Sequence, residues 1–313
     1  MATAFSENLT AEQQSQVLQL FQQFQHPTLQ KDLIELKTLK KVEKGGDVLR
    51  IELQLPFAWN TGVQQVKQQL SDALLKATDS KEIKWVVNYQ IATLKRANNQ
   101  PAVKGVKNII AVTSGKGGVG KSSVSVNLAL ALQAQGARVG ILDADIYGPS
   151  IPHMLGAPHQ RPTSPDNQHI TPIKAHGLSA NSIGFLMDED NATIWRGPMA
   201  SSALSQLLNE TLWDSLDYLV IDMPPGTGDI QLTLSQQIPV TGAVVVTTPQ
   251  DIALLDAVKG VSMFERVSVP VLGIVENMSM HICSNCGHHE AIFGTGGAEK
   301  MAQKYNVKVL GQL

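Results

Sequence analysis

One stretch of the sequence, "TSGKGGVGKSS" (113–123), limits what this chain can fold into more than any other. It fits the pattern G-x-x-x-x-G-K-[ST], whose backbone N–H groups surround a polyphosphate while the lysine and the hydroxyl reach the β/γ-phosphates and magnesium. The apolar run "NIIAVTS" predicts a buried strand before the loop, and "SVSVNLALALQAQG" predicts a helix after it. Because a strand, a glycine loop and a helix N-terminus together form an anion site, we predict a nucleotide site here. Its residues are Gly115, Lys116, Gly117, Gly118, Val119, Gly120, Lys121, Ser122 and Ser123.

The composition is that of an ordinary globular protein and excludes several classes. The 313 residues suggest about two domains, and 43% hydrophobic against 17% charged residues is enough for a sizeable core. The formal net charge is −2, so no global charge favours nucleic acid or an acidic membrane. No apolar stretch approaches the length of a membrane span, and the first residues show no signal or transit peptide. We therefore expect a cytoplasmic protein with no nucleic-acid partner and no membrane partner.

The N-terminal part predicts a small α+β domain over 1–97. In "TAEQQSQVLQLFQQF", Thr10 and Gln13 can form a capping box at the start of a helix, and "VLRIELQL" alternates apolar and polar residues as a half-buried strand does. The predicted elements are a helix over 10–24, a strand over 48–55, a helix over 63–77 and a strand over 83–94. The domain shows no catalytic cluster, so we expect it to pack or to dock a partner. The polar segment 98–108 predicts a linker.

The remainder, 109–313, alternates strands with helices and predicts a doubly wound α/β domain with a mostly parallel sheet. Most of the predicted strands are continuously apolar, which is typical of a parallel sheet covered on both faces. They span 109–114, 138–143, 217–222, 242–248, 270–276 and 307–312. The segment 157–200 is rich in Pro, His, Asn and Gly, and we predict no regular structure for it.

Three aspartates follow predicted strands, at the edge where open α/β sheets bind ligands. Asp222 ends its strand where a nucleotide-magnesium site needs a carboxylate, so we predict that Asp222 and Ser122 hold Mg²⁺. The glycines of the following segment, 223–229, predict a mobile switch loop. Asp143 and Asp145 end another strand, and one of them could orient or activate an attacking water. A polar strand end without a catalytic role explains these two residues equally well.

Lys116 is a second lysine in the glycine loop, and with it "GKGGVGKS" resembles the deviant Walker A loop of dimerising P-loop ATPases. That group includes the division-site and plasmid-partition ATPases and the nitrogenase iron protein. The resemblance implies that ATP is the nucleotide, that Lys121 serves the nucleotide of its own chain, and that Lys116 reaches that of a partner. It also implies catalytic roles for Asp145, on the side of the attacking water, and for Asp143, in the switch near magnesium.

Further motifs narrow the resemblance to the Mrp-type iron–sulfur cluster carrier ATPases. They are "DADIYGPSIPHMLG", "WRGPM", "IDMPPGTGD", "TTPQDIALLDA", "ENMS" and a later C-x-x-C. The match covers roughly 109–313, and the N-terminal domain is similar to the small iron–sulfur assembly-factor domain of many bacterial members. The resemblance implies that Asn277 contacts adenine and that Pro249 contacts the edge of the base. Members usually continue for a few dozen residues beyond "VLGQL", so we expect either a C-terminally truncated chain or a short member of the family.

Both cysteines of the chain, Cys283 and Cys286, lie in "HICSNCGHH". A C-x-x-C pair can be half of a zinc site, a redox dithiol or half of a cluster site. Three neighbouring histidines could complete a zinc site within one chain; they are His281, His288 and His289. A symmetric dimer would instead bring four cysteines to its twofold axis, a ligand set that suits a [4Fe–4S] cluster and also Zn²⁺.

The family resemblance, and not the spacing, favours the cluster. It implies a homodimer that holds a labile [4Fe–4S] cluster, receives it from donors and passes it to apo-proteins, with slow ATP hydrolysis as a switch. The alternative is a positioning or partition ATPase in which the C-x-x-C holds a structural zinc ion. A binding module with slow or no turnover would share every one of these motifs.

Overall fold

The computed structural model describes residues 3–97, 100–187 and 197–313. These residues divide into two compact units, one of Met1–Ala92 with Ala134–Ala137 and one of Thr93–Gln133 with Arg138–Leu313. The domain limits predicted from the sequence, with a linker over 98–108, stay predictions. Residues 98 and 99 of that linker lie outside the described residues, as do Trp195 and Arg196 of "WRGPM".

The N-terminal unit is a four-stranded sheet with two helices. Its elements are β1 (Ala4–Phe5), α1 (Ala11–Gln23), β2 (Leu39–Gly45), β3 (Val48–Leu55), α2 (Asn60–Thr78) and β4 (Glu82–Tyr89). The strand order is β1-β2-β3-β4, in which β2 and β3 are antiparallel and the outer pairs are parallel. Both predicted helices and both predicted strands are confirmed. The sequence analysis missed β1 and β2.

Helix α1 begins as its sequence predicts. The Thr10 hydroxyl accepts a hydrogen bond from the N–H of Gln13, and the Gln13 side chain accepts one from the N–H of Thr10, which completes the capping box. Val17 and Phe21, one turn apart on the helix, are fully buried in a core shared with β3. The helical period of the apolar residues therefore fixes which face of α1 packs on the sheet.

The second unit is a doubly wound α/β domain, as predicted, with eight strands in its main sheet among the described residues. Up to the middle of the chain its elements are β5 (Val106–Ser114), α3 (Lys121–Ala134), β6 (Val139–Asp143), α4 (Ile151–Met154), β7 (Ile173–Ala175), β8 (Leu178–Ser182), a 3₁₀ turn (Ile183–Phe185) and α5 (Gly197–Asn209). The rest are β9 (Leu216–Asp222), α6 (Asp229–Gln237), β10 (Gly242–Thr247), α7 (Asp251–Arg266), β11 (Val271–Glu276), β12 (His281–Ile282), β13 (His289–Glu290), α8 (Gly297–Tyr305) and β14 (Val309–Gln312).

The order of strands in the main sheet is β14-β11-β10-β5-β9-β6-β8-β7. All neighbouring pairs are parallel except β7 with β8. The chain moves from β5 to one side of the sheet through β6, and later to the other side through β10, so the strand order reverses next to β5. Open α/β sheets bind ligands at such a reversal, outside the carboxyl ends of the strands. The glycine loop follows β5 at this place.

The segment 157–200, for which no regular structure is predicted, contains β7, β8 and the first residues of α5. That prediction is wrong because β8, "LSANS", is polar and shows no apolar run. All of β8 is nevertheless buried, since its polar side chains find partners inside the fold. Asn181, for example, donates to the hydroxyl of Thr211 at 2.6 Å. Among the described residues, no helix is long and apolar enough to cross a membrane.

Candidate nucleotide site and cysteine hairpin

The glycine loop between β5 and α3 needs its glycines for two physical reasons. Gly118 and Gly120 adopt left-handed backbone conformations, with φ of 80° and 83°, which side chains with a Cβ rarely take. Gly115 and Gly120 also lie too close to neighbours for a Cβ. One added to Gly115 would lie 2.2 Å from the backbone of Asp256 on α7, and one on Gly120 would lie 2.1 Å from the Asn277 amide nitrogen. The loop is therefore pressed between α7 and the end of β11.

Asp222, at the end of β9, collects the polar groups at the start of α3. The Lys121 ammonium lies 2.7 Å from Asp222 Oδ1, and both side chains are buried. The Ser122 hydroxyl donates to Asp222 Oδ2 at 2.6 Å, and the Ser125 hydroxyl donates to Oδ1 at 2.6 Å. A buried carboxylate needs such partners, because without them burial would force it to take up a proton.

The oxygens of Ser122 and Asp222 fit the magnesium ion that a P-loop site requires. Mg²⁺ prefers hard oxygen ligands and is held in nucleotide sites by a carboxylate, a hydroxyl and the substrate phosphates. Here a hydroxyl and a carboxylate oxygen already lie side by side at the N-terminus of α3. Lys121 Nζ contacts the same carboxylate and is also 3.3 Å from the Ser122 hydroxyl. The lysine ammonium group and the two candidate magnesium ligands therefore lie close together.

Asp143, at the end of β6, is fully buried and its oxygens are occupied by the chain itself. They accept hydrogen bonds from the N–H groups of Asp145, Ser150 and Ile151 at 3.0–3.1 Å and from the hydroxyl of Ser182 at 3.1 Å. This carboxylate thereby closes the turn that leads from β6 into α4. Asp143 therefore stabilises this turn, whether or not it also has a role in catalysis.

The electrostatic settings of the two aspartates differ. Burial, followed by the charge of Asp222, raises the pKa of Asp143 to about 7. Burial also raises the pKa of Asp145, against the opposing charge of Lys121. Asp145 is only half-buried and lines a cleft of 1260 Å³ together with Tyr147 and Pro224. Of the two, Asp145 is therefore the carboxylate that a water molecule can reach.

The remaining predicted nucleotide residues lie in the glycine loop, on α3, or after β10 and β11. Asn277 follows β11, and its side-chain amide donates to the carbonyl of Val119 at 2.9 Å. Pro249 is buried, and its carbonyl oxygen lies 3.1 Å from where a Cβ on Gly297 would be. The Lys116 ammonium forms no ion pair with any residue that the structure describes. The backbone carbonyl of Lys116 accepts a hydrogen bond from the Ser114 hydroxyl at 2.8 Å. Ser123 is exposed on the first turn of α3.

The cysteines lie on an exposed hairpin formed by β12 and β13. His281 pairs with Glu290 across it, and the turn is closed by hydrogen bonds from the Cys283 N–H to His288 and from the Gly287 N–H to Cys283. Backbone N–H groups of Cys286 and Asn285, and then the Cys286 thiol, lower the pKa of Cys283. Donors aimed at a sulfur favour its thiolate form, which is the form that binds metal.

In the part of the chain that the structure describes, no third ligand completes this pair. Neither cysteine is in a disulfide, Cys286 is exposed and Cys283 is half-buried. Over residues 3–97, 100–187 and 197–313, no three His, Cys, Asp or Glu side chains are grouped so that they could hold a metal ion. The three histidines predicted as alternative zinc ligands are exposed side chains of the hairpin.

Several residues of the site were missed in the sequence analysis. The hydroxyls of Ser125 and Ser122 both donate to Asp222. Ser125 could have been predicted because it lies one helical turn after Ser122, on the same face of α3. Ser182 lies in the polar strand β8, which had not been predicted. Glu276 is buried and accepts hydrogen bonds from Ser279 and Ala298. It could have been singled out because it is a charged residue at the end of an apolar strand.

The parallel sheet, the glycine loop after β5 and the carboxylate at the end of β9 define a P-loop NTPase. The protein family described as "ParA: NUBPL iron-transfer P-loop NTPase" matches residues 105–313, and this chain belongs to it. The resemblance to the iron–sulfur cluster carrier ATPases is thereby confirmed.

Individual relatives agree with this assignment. The iron-sulfur cluster carrier protein of Haemophilus influenzae is 91% identical over 100% of this chain and 85% of its own length. That of Escherichia coli is 68% identical over 93% of this chain and 79% of its own length. Among solved structures, a nucleotide-binding protein from Archaeoglobus fulgidus in complex with ADP superposes with a TM-score of 0.60 at 40% identity. The match covers 67% of this chain and 82% of that one.

Proposed function

We propose that this protein is an ATP-hydrolysing carrier that binds a labile [4Fe–4S] cluster between two copies of the chain and transfers it to apo-proteins. The observation that carries the proposal is the half-complete ligand set of the hairpin. Cys283 and Cys286 present two thiols on the surface, donors favour the thiolate of Cys283, and no third ligand stands beside them among the described residues. Two such pairs supply the four thiolates of a [4Fe–4S] cluster. The names of the relatives support the same cargo.

The nucleotide half of the proposal uses the loop at β5. The backbone N–H groups of the loop and the N-terminus of α3 bind the phosphates of ATP, and Lys121 offsets their charge. Ser122 and Asp222 would hold Mg²⁺, which when bound neutralises charge that develops on the phosphates during transfer. Asn277 and Pro249 contact the base. The pairing of Lys121 with Asp222 offsets the charges of both buried side chains.

Hydrolysis needs a group that orients water and a cation at the phosphates. Asp145 faces the cleft beside the switch loop, and burial raises the pKa of its carboxyl group, which makes the carboxylate a stronger base. Lys116, which has no ion-pair partner among the described residues, reaches the nucleotide of the partner chain. Asp143 holds the turn that positions Asp145, since it accepts the Asp145 N–H. We expect slow turnover, because ATP acts as a switch in the family that this chain resembles.

Dimerisation and release complete the cycle. Around the cysteines the hairpin exposes Ile282 and Met280, which are 56% and 46% accessible and would be covered when two hairpins meet. The switch loop 223–229 reports the state of the nucleotide to that interface. Release is a ligand exchange in which thiolates of an acceptor replace those of Cys283 and Cys286, with no net oxidation of the cluster. We place the protein in the cytoplasm, where free thiols persist.

Purification without oxygen tests the proposal. The dimer should contain iron and sulfide in equal amounts, about two of each per chain, with the broad visible absorption of a [4Fe–4S] cluster. Incubation with an apo-protein that lacks such a cluster should move the iron to the acceptor. Stoichiometric zinc without sulfide, retained by a monomer, would instead identify a structural zinc site and the positioning-type ATPase.

A further inference from the structure

Glu276 is a buried carboxylate that has no part in holding phosphate or magnesium. It ends β11 and is 1% exposed. Its Oε1 accepts the Ser279 hydroxyl at 3.0 Å, and its Oε2 accepts the N–H of Ala298 at 2.7 Å. The cost of burying a carboxylate is offset only where donors satisfy its oxygens, so this arrangement is a specific one.

These two donors lie at the two ends of the segment that carries the cysteines. Ser279 precedes β12, and Ala298 lies in the first turn of α8. The segment 280–297 therefore begins and ends next to residues that bond Glu276. Between those ends the hairpin 281–290 is held together by its own hydrogen bonds. One carboxylate therefore bonds the chain on both sides of the hairpin, two residues before it begins and eight residues after it ends.

The residue next to Glu276 contacts the nucleotide loop. The side chain of Asn277 donates to the Val119 carbonyl at 2.9 Å, and its backbone N–H donates to Thr247 on β10 at 2.8 Å. Because Gly120 also lies against the Asn277 amide, a movement of the loop acts directly on Asn277. Glu276 thus bonds the two ends of the cysteine segment, and the next residue, Asn277, bonds the nucleotide loop.

Residues at the end of the edge strand β14 bond Glu276 and Ser279. Gln312 of β14 donates to Glu276 Oε1 at 3.1 Å, the Leu313 N–H donates to the Glu276 carbonyl at 2.9 Å, and the Ser279 N–H donates to the Leu313 carbonyl at 2.7 Å. A contiguous hydrogen-bond network of this kind can carry energetic coupling between two sites.

We infer that Glu276 is a positioning residue through which nucleotide at the loop 115–122 sets the position of the cysteine hairpin. It touches neither the nucleotide nor the cargo and acts through Asn277 on one side and through Ser279 and Ala298 on the other. The inference rests on the proposed function only in taking Cys283 and Cys286 as the ligands of the cargo.

Thiol alkylation measures this coupling without any metal. The full chain is treated with iodoacetamide with and without Mg·ADP, and the modification rates of Cys283 and Cys286 are followed by mass spectrometry. In the wild type, Mg·ADP should slow alkylation about fivefold or more, the lower range of typical coupling between sites. Glu276→Gln should bring the ratio close to one, because the amide has no charge and only one acceptor oxygen, whereas the carboxylate accepts on both of its oxygens. The affinity for ADP should stay within about threefold of wild type.

Two further variants keep the test decisive. Glu299→Gln is the matched control, since Glu299 accepts a hydrogen bond from the same Gln312 at 2.6 Å but bonds neither Ser279 nor Ala298. It should keep the wild-type ratio. Ser279→Ala removes only the hydroxyl and should reduce the nucleotide effect in part. It replaces Glu276→Gln as the decisive variant if circular dichroism shows that Glu276→Gln does not fold.

Two results would overturn the inference. The first is an alkylation rate of the wild type that does not respond to Mg·ADP, and the second is a wild-type response in both Glu276→Gln and Ser279→Ala. Failure of the proposed function is seen separately, in the iron and sulfide content of the oxygen-free wild type. A protein without cluster whose thiols respond to ADP through Glu276 would retain the coupling and lose only the cargo.

Discussion

Lys121 and Asp222 form a buried ion pair, with 2.7 Å between the ammonium nitrogen and Oδ1 of the carboxylate. The lysine begins α3 and the aspartate ends β9, so the pair joins the phosphate loop to the strand that precedes the switch loop. Asp143 is close enough to Asp222 for their charges to interact, which makes Lys121 the cation that balances this edge of the sheet.

Lys121→Ala should weaken nucleotide binding about 100-fold or more, since it removes a charged hydrogen-bond donor to the phosphates from a buried site. Titration calorimetry with Mg·ADP measures the change. Lys304→Ala, which removes an exposed lysine at the end of α8, is the control and should leave the affinity unchanged. Wild-type affinity of Lys121→Ala would contradict the assignment of this loop as the nucleotide site.

Lys116→Ala should separate binding from hydrolysis. If Lys116 acts on the nucleotide of the partner chain, ADP affinity should stay within about tenfold while ATP turnover falls about 100-fold, the usual loss for one stabilising donor. Phosphate release measured beside calorimetry gives both quantities. Equal losses of affinity and turnover, as expected for Lys121→Ala, would show that both lysines serve the same nucleotide.

Asp145→Asn should keep nucleotide affinity within about tenfold and slow ATP hydrolysis about 100-fold, because the amide cannot take a proton from water. Asp143→Ala should behave differently. It leaves the N–H groups of Ser150 and Ile151 without their acceptor and should lower the free energy of unfolding by about 3 kcal/mol. Normal turnover of Asp145→Asn would move the catalytic role away from this carboxylate.

Cys283→Ser and Cys286→Ser should each empty the cluster site and abolish any cluster-bridged dimer, while ATP binding survives. The neighbouring His281→Ala, His288→Ala and His289→Ala are matched controls on the same hairpin and should retain iron and sulfide. Metal analysis with light scattering before and after chelation gives content and mass together. One metal ion per monomer that is lost with a histidine would demonstrate a zinc site inside one chain.

Asp217→Asn should change how stability depends on pH. Burial raises the pKa of Asp217, but hydrogen bonds from Arg138 and Lys107 outweigh it, so the pKa lies below its usual value. An acid with a lowered pKa contributes stability above its unfolded pKa of about 3.9 and loses it as pH falls through the folded pKa. Because its partners are partly exposed, we expect a loss of about 1 kcal/mol at neutral pH.

Urea unfolding at a series of pH values tests this prediction. The difference between wild type and Asp217→Asn should be constant at neutral pH and should shrink below about pH 4. Asp72→Asn, which alters an exposed carboxylate on α2, is the control. A difference that persists unchanged into acid would attribute the effect to packing and not to charge.

Most strands of the main sheet could be predicted, because strands such as β6, β9 and β10 are buried on both faces and burial leaves a continuous apolar run in the sequence. The predicted strand over 217–222 agrees with β9 for this reason. Strand β8 escaped prediction because its polar residues are satisfied by partners distant in sequence, such as Thr211 for Asn181. No local pattern records such a partner.

The sequence by itself predicted the nucleotide site, since glycines, lysines and serine at fixed spacing have few other uses, and it determined that the chain holds only one pair of thiols. Only the tertiary structure decided which side chains meet. It directed Asp143 inward to the backbone and Asp145 outward to the cleft, although only one residue separates the two in the sequence. It also brought Ser279 and Ala298 to Glu276. Motifs are local in sequence, whereas the satisfaction of a buried charge depends on neighbours that only the folded chain supplies.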